Sequence, residues 1–307
     1  MKIIFIGGVE YSLELLKTIL ENGWEISLVF SYDESKKIFY SDFASFDEIT
    51  NQYKIKNVKV KNINDKSNLE LIKKIKPDLI LVMGWSQIIK NEILSIPKIC
   101  TIGSHPTELP KYRGRAPLPW TILKNLPESA LTFFYVDEDI DHGDILDQRR
   151  FQISKNDDVS DLYKKMVNIG KIMIHENLLL IRDGIQKRIT QDESKFLEYW
   201  PKRTPKDGRI NWNEKNETIH NLIRATTKPY PGAFCYFKKS ELIIWKSQLS
   251  NTVCNVPGKI ISIDTKGCII GTGFGTLKIK KFSTKNSKIT NNILDIFPQI
   301  KEGDFLS

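Results

Sequence analysis

The sequence predicts an α/β fold in two domains, a parallel-sheet domain followed by a small β-barrel. In the first part of the chain, apolar runs that suit strands alternate with amphipathic helical segments. The remainder changes to short strands separated by glycine turns. A chain of 307 residues is also long for a single domain. We therefore expect a first domain over residues 1–199 and a second over residues 200–307.

The first domain opens with a strand, a glycine turn and a helix, as Rossmann-like domains do. Residues 2–6 are apolar, Gly7 and Gly8 form the turn, and a leucine-rich stripe predicts a helix over 11–20. The Gly-x-Gly-x-x-Gly motif is absent, so a dinucleotide is not indicated. The alternation continues in predicted strands over 25–30, 58–60, 78–83, 99–102, 131–136 and 145–153. Helices are predicted over 43–52, 68–75, 117–124 and 158–183.

Prolines, charges and tryptophans interrupt this alternation over residues 198–213, which indicates a domain junction. A helix predicted over 216–225 comes next. Five short strands follow, over 233–237, 241–246, 258–263, 268–272 and 277–282. Several short strands with glycine turns are typical of a small barrel, and we expect one that is OB-like.

Composition excludes several classes of protein. Hydrophobic residues make up 40% of the chain and aromatic residues 10%, which excludes a disordered protein. No run of about 18 apolar residues exists, and the chain opens directly into a strand without the regions of a signal peptide. We expect a soluble, cytoplasmic protein without a membrane partner.

Neither cysteine spacing nor charge indicates a specific ligand. The four cysteines are widely spaced and do not cluster with the four histidines, so we expect no metal site. The formal charge of +9 would favour a polyanion such as nucleic acid or a nucleotide. Because the excess consists mostly of scattered lysines, a compositional bias explains it equally well.

The segment 99–120 contains the principal candidate site. His105 follows the predicted strand over 99–102, at the sheet edge where ligands bind in open α/β folds. Further along, Arg113 and Arg115 flank Gly114, and guanidinium groups suit phosphate or carboxylate. The alternatives are an inert loop histidine and a solvated charged loop, and the residues alone leave both open.

Two further segments lie at the same predicted edge. After the strand over 78–83, a pocket walled by Met83, Trp85, Ile88 and Ile89 could bind a flat heteroaromatic ligand, although such residues more often only pack. An acidic run over 137–144 suggests a calcium loop. This fails because the sixth position is a histidine and the twelfth a glutamine. The run is better interpreted as a turn that presents one carboxylate.

Taken together, these motifs resemble the 10-formyltetrahydrofolate-dependent formyltransferases over nearly the whole chain. The resemblance rests on His105 with Pro110 five residues later and on the motifs over 109–117, 140–144, 203–205, 224–225 and 231–234. The KYRGRAP stretch and the 36–40 region are closer to the domain that formylates UDP-4-amino-4-deoxy-arabinose than to methionyl-tRNA formyltransferase. The long basic loop of the tRNA enzyme after its second strand is absent.

The resemblance implies an Asn-x-His pair and an aspartate as catalytic residues. These fall on Gly103, His105 and Asp141, so the carboxamide is missing, and Ser104, a backbone N–H or water would donate to the oxyanion. The resemblance also implies 10-formyltetrahydrofolate as formyl donor, without a metal. From their place at the predicted sheet edge, we expect Met83, Gly84, Trp85, Ile88, Asp137 and Asp144 to bind the folate. We expect Arg113, Gly114 and Arg115 to bind the acceptor substrate.

Three functions remain open at this stage. The first is N-formylation of a nucleotide-linked amino sugar, as in lipopolysaccharide biosynthesis, with direct attack of the amine and nucleic acid as an unlikely partner. The second is methionyl-tRNA formylation, which the positive charge favours and the missing basic loop disfavours. The third treats Gly103 as the mark of an inactive folate- or nucleotide-binding module. A homodimer is possible under each.

Overall fold

The computed structural model describes residues 1–252 and 254–307, which form two compact units. The first unit comprises Met1–Pro117, Glu128–Ile153 and Tyr163–Pro201. The second comprises Leu118–Pro127, Ser154–Leu162 and Lys202–Ser307. Among the described residues, no helix is long and apolar enough to cross a membrane.

A seven-stranded sheet forms the centre of the first unit. Its strands, in their order across the sheet, are β3 (Asn57–Val60), β2 (Ile26–Tyr32), β1 (Ile3–Ile6), β4 (Leu79–Val82), β5 (Cys100–His105), β7 (Glu128–Tyr135) and β8 (Ile145–Gln152). The residues of β1 and β4 are buried throughout, because helices cover both faces of a doubly wound sheet. The helices of this unit are α1 (Glu10–Glu21), α2 (Asp47–Gln52), α3 (Lys66–Ile75), α4 (Asn91–Leu94) and most of α6 (Val159–Arg182). Helix α5 (Pro117–Leu123) lies, except for its first residue, in a segment of the second unit.

The α/β prediction is confirmed, but the sheet is mixed rather than parallel. The five strands from β3 to β5 are parallel, whereas β7 and β8 run antiparallel to their neighbours. The turn over 136–144 joins β7 directly to β8 and contains no crossover helix, which a parallel connection would require.

Two predicted boundaries were wrong. Strand β5 extends to His105 because Gly103, Ser104 and His105 pair with β7, so the histidine is the last strand residue rather than a loop residue. The helix predicted from residue 43 begins only at Asp47, since Phe43 forms a β-bridge with Val9.

A second, two-stranded sheet in the first unit was not predicted. Strand β6 (Tyr112–Gly114) pairs in parallel with β9 (Glu198–Trp200). Each strand has three residues, too few to show the alternation of apolar and polar residues by which a strand is recognised.

The second unit contains helix α7 (Asn216–Thr226) and a five-stranded antiparallel sheet. Its strands, in order across the sheet, are β10 (Ala233–Phe237), β11 (Ser240–Ser250), β14 (Thr276–Ser283), β13 (Gly267–Gly271) and β12 (Ile260–Asp264). Both edges bond to the same terminal segment: Tyr236 exchanges backbone hydrogen bonds with Ser307, and Leu306 donates to Gly258 beside β12. All five strands predicted for this unit are present. The terminal segment connects the two edges of their sheet.

Candidate active site

His105 lies at the end of β5 with both ring nitrogens engaged. It is 5% exposed, and Nε2 lies 3.1 Å from the backbone oxygen of Tyr112. A carbonyl can only accept, so Nε2 carries the proton and Nδ1 presents its lone pair in the neutral imidazole. Nδ1 lies 3.5 Å from Oδ2 of Asp141. The structure thus brings His105 and Asp141 together and fixes the tautomer of the histidine.

Asp141 lies in the turn between β7 and β8. Its φ of 54° is in the left-handed region, which aspartate tolerates better than most residues. Its carboxylate is 17% exposed and accepts a 2.9 Å hydrogen bond from the backbone N–H of Gly114. One proton can lie between this carboxylate and Nδ1, and the two groups can transfer it to or from a reacting amine.

Strand β6 positions both members of this pair. The Tyr112 carbonyl orients His105, and the Gly114 N–H holds Asp141. Gly114 has a φ of 106°, and a Cβ there would lie 2.4 Å from the backbone oxygen of Trp200. Only glycine therefore allows β6 to approach β9 this closely. The Tyr112 ring stacks on Trp200 with 4.5 Å between centroids and stabilises the same pairing.

Gly103 shares the strand face of His105, but the space beside it is occupied. A Cβ at this position would lie 2.8 Å from Val136 Cγ2 and 3.1 Å from Phe134 Cζ. A carboxamide does not fit there unless these two side chains move. Any stabilisation of an oxyanion must then come from another group.

Ser104 is directed to the opposite face of β5, because successive strand residues alternate. Its neighbour there is Tyr11. Burial raises the pKa of the Tyr11 hydroxyl far above its usual range, and Ser104 partly offsets this rise. The two hydroxyls do not meet hydrogen-bond geometry, and the Tyr11 hydroxyl has no partner within the described residues. The structure therefore does not bring Ser104 to the His105–Asp141 pair, which disfavours the catalytic role predicted for it.

Arg113, in β6, and Arg115, directly after it, have opposite environments. Arg113 is 2% exposed and donates to Gln191 at 2.8 Å and to Glu193 at 3.1 Å. This contact lowers the pKa of Glu193. A guanidinium so engaged is not available to a substrate, which argues against the binding role predicted for Arg113. Arg115 is exposed, and its guanidinium has no ion-pair partner among the described residues.

The predicted folate-binding segment after β4 packs partly into an aromatic stack. Trp85 stacks on Tyr32 at 3.9 Å, and Tyr32 stacks on Tyr40 at 4.4 Å. Met83 is buried and Gly84 has a positive φ, whereas Ile88 is 61% exposed. Only the outer part of this segment is thus open to a ligand.

Asp137 and Asp144 line a pocket of about 200 Å³ next to the Asp141 turn. Arg188 donates to Asp144 at 2.7 Å and lowers the pKa of that carboxyl, while His142 lies 3.1 Å from Asp137. The remaining lining residues are Tyr135, Gly143, Thr190, Gln191 and Glu193. The charged side chains of this pocket could donate and accept hydrogen bonds to a polar ring. The folate-binding roles of Asp137 and Asp144 stay predictions.

Gln191 was not predicted as a site residue. Its amide nitrogen donates to the backbone oxygens of Asp141 at 2.9 Å and Gly143 at 2.7 Å. It lies in a polar stretch after α6, far from Asp141 in the chain, and no motif or periodicity distinguishes it.

Two family models match successive parts of the chain. Residues 1–178 match the family model described as formyl transferase. Residues 202–294 match the model described as formyl transferase, C-terminal domain.

The chain is similar in sequence to proteins of two different names. The chain is 34% identical over 268 residues to the bifunctional polymyxin resistance protein ArnA of Wigglesworthia glossinidia brevipalpis, covering 86% of this chain but only 40% of that protein. It is 29% identical over 293 residues to methionyl-tRNA formyltransferase of Ruminiclostridium cellulolyticum, covering 94% of this chain and 93% of that protein.

Among solved structures, the fold is similar to that of WlaRD, described as a sugar 3N-formyl transferase in the presence of dTDP and 5-N-formyl-THF. The TM-score is 0.67 at 25% identity, and the match covers 94% of this chain and 99% of that chain.

Proposed function

The chain belongs to the formyl transferase family, whose enzymes use formyl-tetrahydrofolate, and from that premise we propose that its acceptor is the amine of a nucleotide-linked amino sugar. The observation that carries the proposal is the match to WlaRD over 99% of that chain, because both units of the fold are included. The relation to ArnA at 34% identity, and the resemblance of the KYRGRAP stretch to the sugar enzymes, support the same acceptor class.

Formyl transfer to an amine requires three things of the site: the amine must lose a proton, the formyl oxygen must be stabilised, and the departing folate nitrogen must gain a proton. Proton transfer involves Nδ1 of His105 and the Asp141 carboxylate, because Nε2 is committed to the Tyr112 carbonyl. Asp141 stabilises the imidazolium as it forms. With the space beside Gly103 filled, backbone N–H groups or water stabilise the oxyanion.

Methionyl-tRNA formylation is the second candidate, and the match to the tRNA enzyme over 93% of its length favours it. The segment between β2 and α2, where the tRNA enzyme is expected to carry its basic loop, holds only Lys36 and Lys37 as cations. A tRNA acceptor would need many phosphate contacts and would bind with a steep dependence on salt.

The test is steady-state formylation by the purified chain with 10-formyltetrahydrofolate. The acceptors are UDP- and dTDP-linked 3- and 4-amino sugars and, separately, charged initiator tRNA. We expect turnover with at least one amino sugar and none with the tRNA. Activity on the tRNA alone would overturn the proposal in favour of the second candidate, and no activity on any acceptor would reject both.

The catalytic pair provides the internal control. Replacement of His105 by alanine should abolish transfer, and Asp141→Asn should lower kcat at least about 100-fold, the range of lost acid–base function. Circular dichroism should remain that of the wild type. Rates within a few fold of the wild type in either variant would contradict the assignment of the pair.

A further inference from the structure

Among the described residues, Gln191 is the only one whose side chain donates hydrogen bonds to backbone oxygens of the Asp141 turn. Its amide donates to the carbonyls of Asp141 and Gly143, and the side chain is 6% exposed. A carbonyl buried without a hydrogen-bond partner destabilises the fold. This one amide satisfies two carbonyls of the turn at once, and the Gly114 N–H holds the Asp141 carboxylate.

Arg113 fixes the orientation of that amide. Its Nη2 donates to Oε1 of Gln191 at 2.8 Å, so the oxygen must face Arg113 and the nitrogen must face the two carbonyls. Glu193 holds the other side of the guanidinium. Arg113 also lies between Tyr112 and Gly114, whose backbones hold His105 and Asp141.

The turn needs such support because Asp141 has a left-handed backbone conformation, which persists in a residue other than glycine only where surrounding contacts enforce it. A shift of the turn would move Oδ2 away from Nδ1 of His105, and the 3.5 Å separation of these atoms leaves little tolerance. A misplacement of about 1 Å can cost about 100-fold in rate.

We propose that Gln191, oriented by Arg113, is a positioning residue that holds Asp141 against His105 for formyl transfer. This rests on the proposed function for its kinetic consequence. Its structural consequence, the contact between His105 and Asp141, can be measured without any acceptor. Gln191 also lines the pocket of Asp137 and Asp144. Its amide nitrogen is bonded to the two carbonyls and its oxygen to Arg113, so its effect should appear in kcat rather than in substrate binding.

The test compares Gln191→Glu with Gln191→Met. Glutamate keeps an acceptor for Arg113 but cannot donate to the two carbonyls, whereas methionine removes both functions at similar length. The matched control is Arg149→Met on β8, which removes a half-buried arginine paired with Asp147 and Glu176 away from the site. We expect both Gln191 variants to lose 10- to 100-fold in kcat, with KM for donor and acceptor within threefold of the wild type.

A second measurement does not depend on the acceptor. In protein labelled with ¹⁵N-histidine, the Nδ1 resonance of His105 should change in the Gln191 variants, while Nε2, bonded to Tyr112, should not. His105→Gln assigns the signals. A loss of folding by Gln191→Met leaves Gln191→Glu to decide the question.

The outcomes distinguish a failure of the proposed function from a failure of the positioning role of Gln191. A wild type without formyl transfer to any acceptor would reject the proposed function, and the ¹⁵N measurement would still test the positioning role. An unchanged Nδ1 resonance in a folded Gln191→Glu protein would overturn the inference whichever acceptor is used. A kcat within threefold of the wild type in a folded Gln191→Glu protein would also overturn the inference.

Discussion

Arg113 and Arg115 are two positions apart in the chain but have different roles in the structure. The sequence places both in a loop that follows His105 and gives them the same expected function. The structure adds strand β6, which directs Arg113 into a buried contact with Gln191 and Glu193. Arg115, beyond the end of the strand, remains exposed. Only Arg115 keeps the chemistry expected of a phosphate-binding residue.

Replacing Arg115 by alanine should raise KM for the sugar nucleotide about 10- to 100-fold, because a charged hydrogen bond to phosphate contributes on the order of 1.5–3 kcal/mol. KM for 10-formyltetrahydrofolate should change little. The measurement is steady-state kinetics with one substrate varied at a time.

Arg182→Ala is the matched control for this experiment. Arg182 is an exposed arginine paired with Asp183, in the first unit, and it does not line the pocket of Asp137 and Asp144. Its removal should leave both KM values unchanged. Equal effects of the two substitutions, or an equal rise in both KM values for Arg115→Ala, would remove Arg115 from the substrate site.

Among individual residues, the sequence predicted the candidate catalytic pair better than its surroundings. His105 and Asp141 could be named because the combination of motifs resembles the formyltransferases, and the structure places Nδ1 of His105 3.5 Å from Oδ2 of Asp141. The orientation of Ser104 depends on whether β5 has ended, which local pattern does not show. The filling of the space beside Gly103 depends on Phe134 in β7 and Val136 just after it, which are about 30 residues further along the chain.

Strand β6 is among the shortest elements, yet it contacts both members of the candidate catalytic pair. With three residues it holds the histidine by a carbonyl and the aspartate by an N–H. Pattern analysis cannot find such an element, because its pairing with β9 involves backbone atoms that any sequence possesses. The long apolar strands and α6 were found for the opposite reason, since burial of whole faces selects their side chains.

Substitution of Gly114 by alanine should disrupt β6. The added Cβ would lie 2.4 Å from the Trp200 oxygen, and the φ of 106° is strained for any other residue. We expect a loss of about 1–3 kcal/mol in the free energy of unfolding, together with a fall in kcat of at least tenfold. Thermal unfolding and steady-state kinetics measure the two effects.

Gly184→Ala controls for the backbone strain alone. This glycine also has a positive φ, of 70°, but a Cβ there meets nothing within 4 Å. Its substitution should cost about 1 kcal/mol and leave kcat unchanged. If the two variants lose the same stability and both keep wild-type kcat, close pairing of β6 with β9 is not required for catalysis.

For the whole molecule, the sequence predicted the fold class and the family, both of which are confirmed. The antiparallel edge of the first sheet was missed because strand direction follows from connections rather than from composition. The division of the chain into units includes two short segments, Leu118–Pro127 and Ser154–Leu162, that group with the second unit. Their placement depends on contacts that no local feature of the sequence reveals.

The free energy of unfolding should depend on pH through His220 on α7. Burial, with a further contribution from Arg224, lowers the pKa of His220 from 6.5 to about 4, and Nδ1 is paired with Ser247 at 2.8 Å. The unfolded chain therefore takes up a proton between pH 6.5 and 4 that the folded chain excludes. Stability is fully present above pH 6.5 and is lost as the pH falls toward 4.

Urea unfolding at pH 7, 6, 5 and 4.5 should show this loss in the wild type. His220→Gln, which keeps a hydrogen-bonding group but does not titrate in this range, should show a smaller loss over the same interval. Parallel pH dependences in the two proteins would mean that the other titrating groups account for the effect.

The pairing of β6 with β9 also has a consequence for the time course of folding. A long stretch of chain separates the two strands, so bringing them together costs conformational entropy. The three residue pairs that form stabilise the closed segment only slightly. The seven-stranded sheet has far more apolar surface to drive its formation. On refolding, secondary structure should therefore recover before the His105–Asp141 geometry is established, and enzymatic competence should be among the last native properties to return.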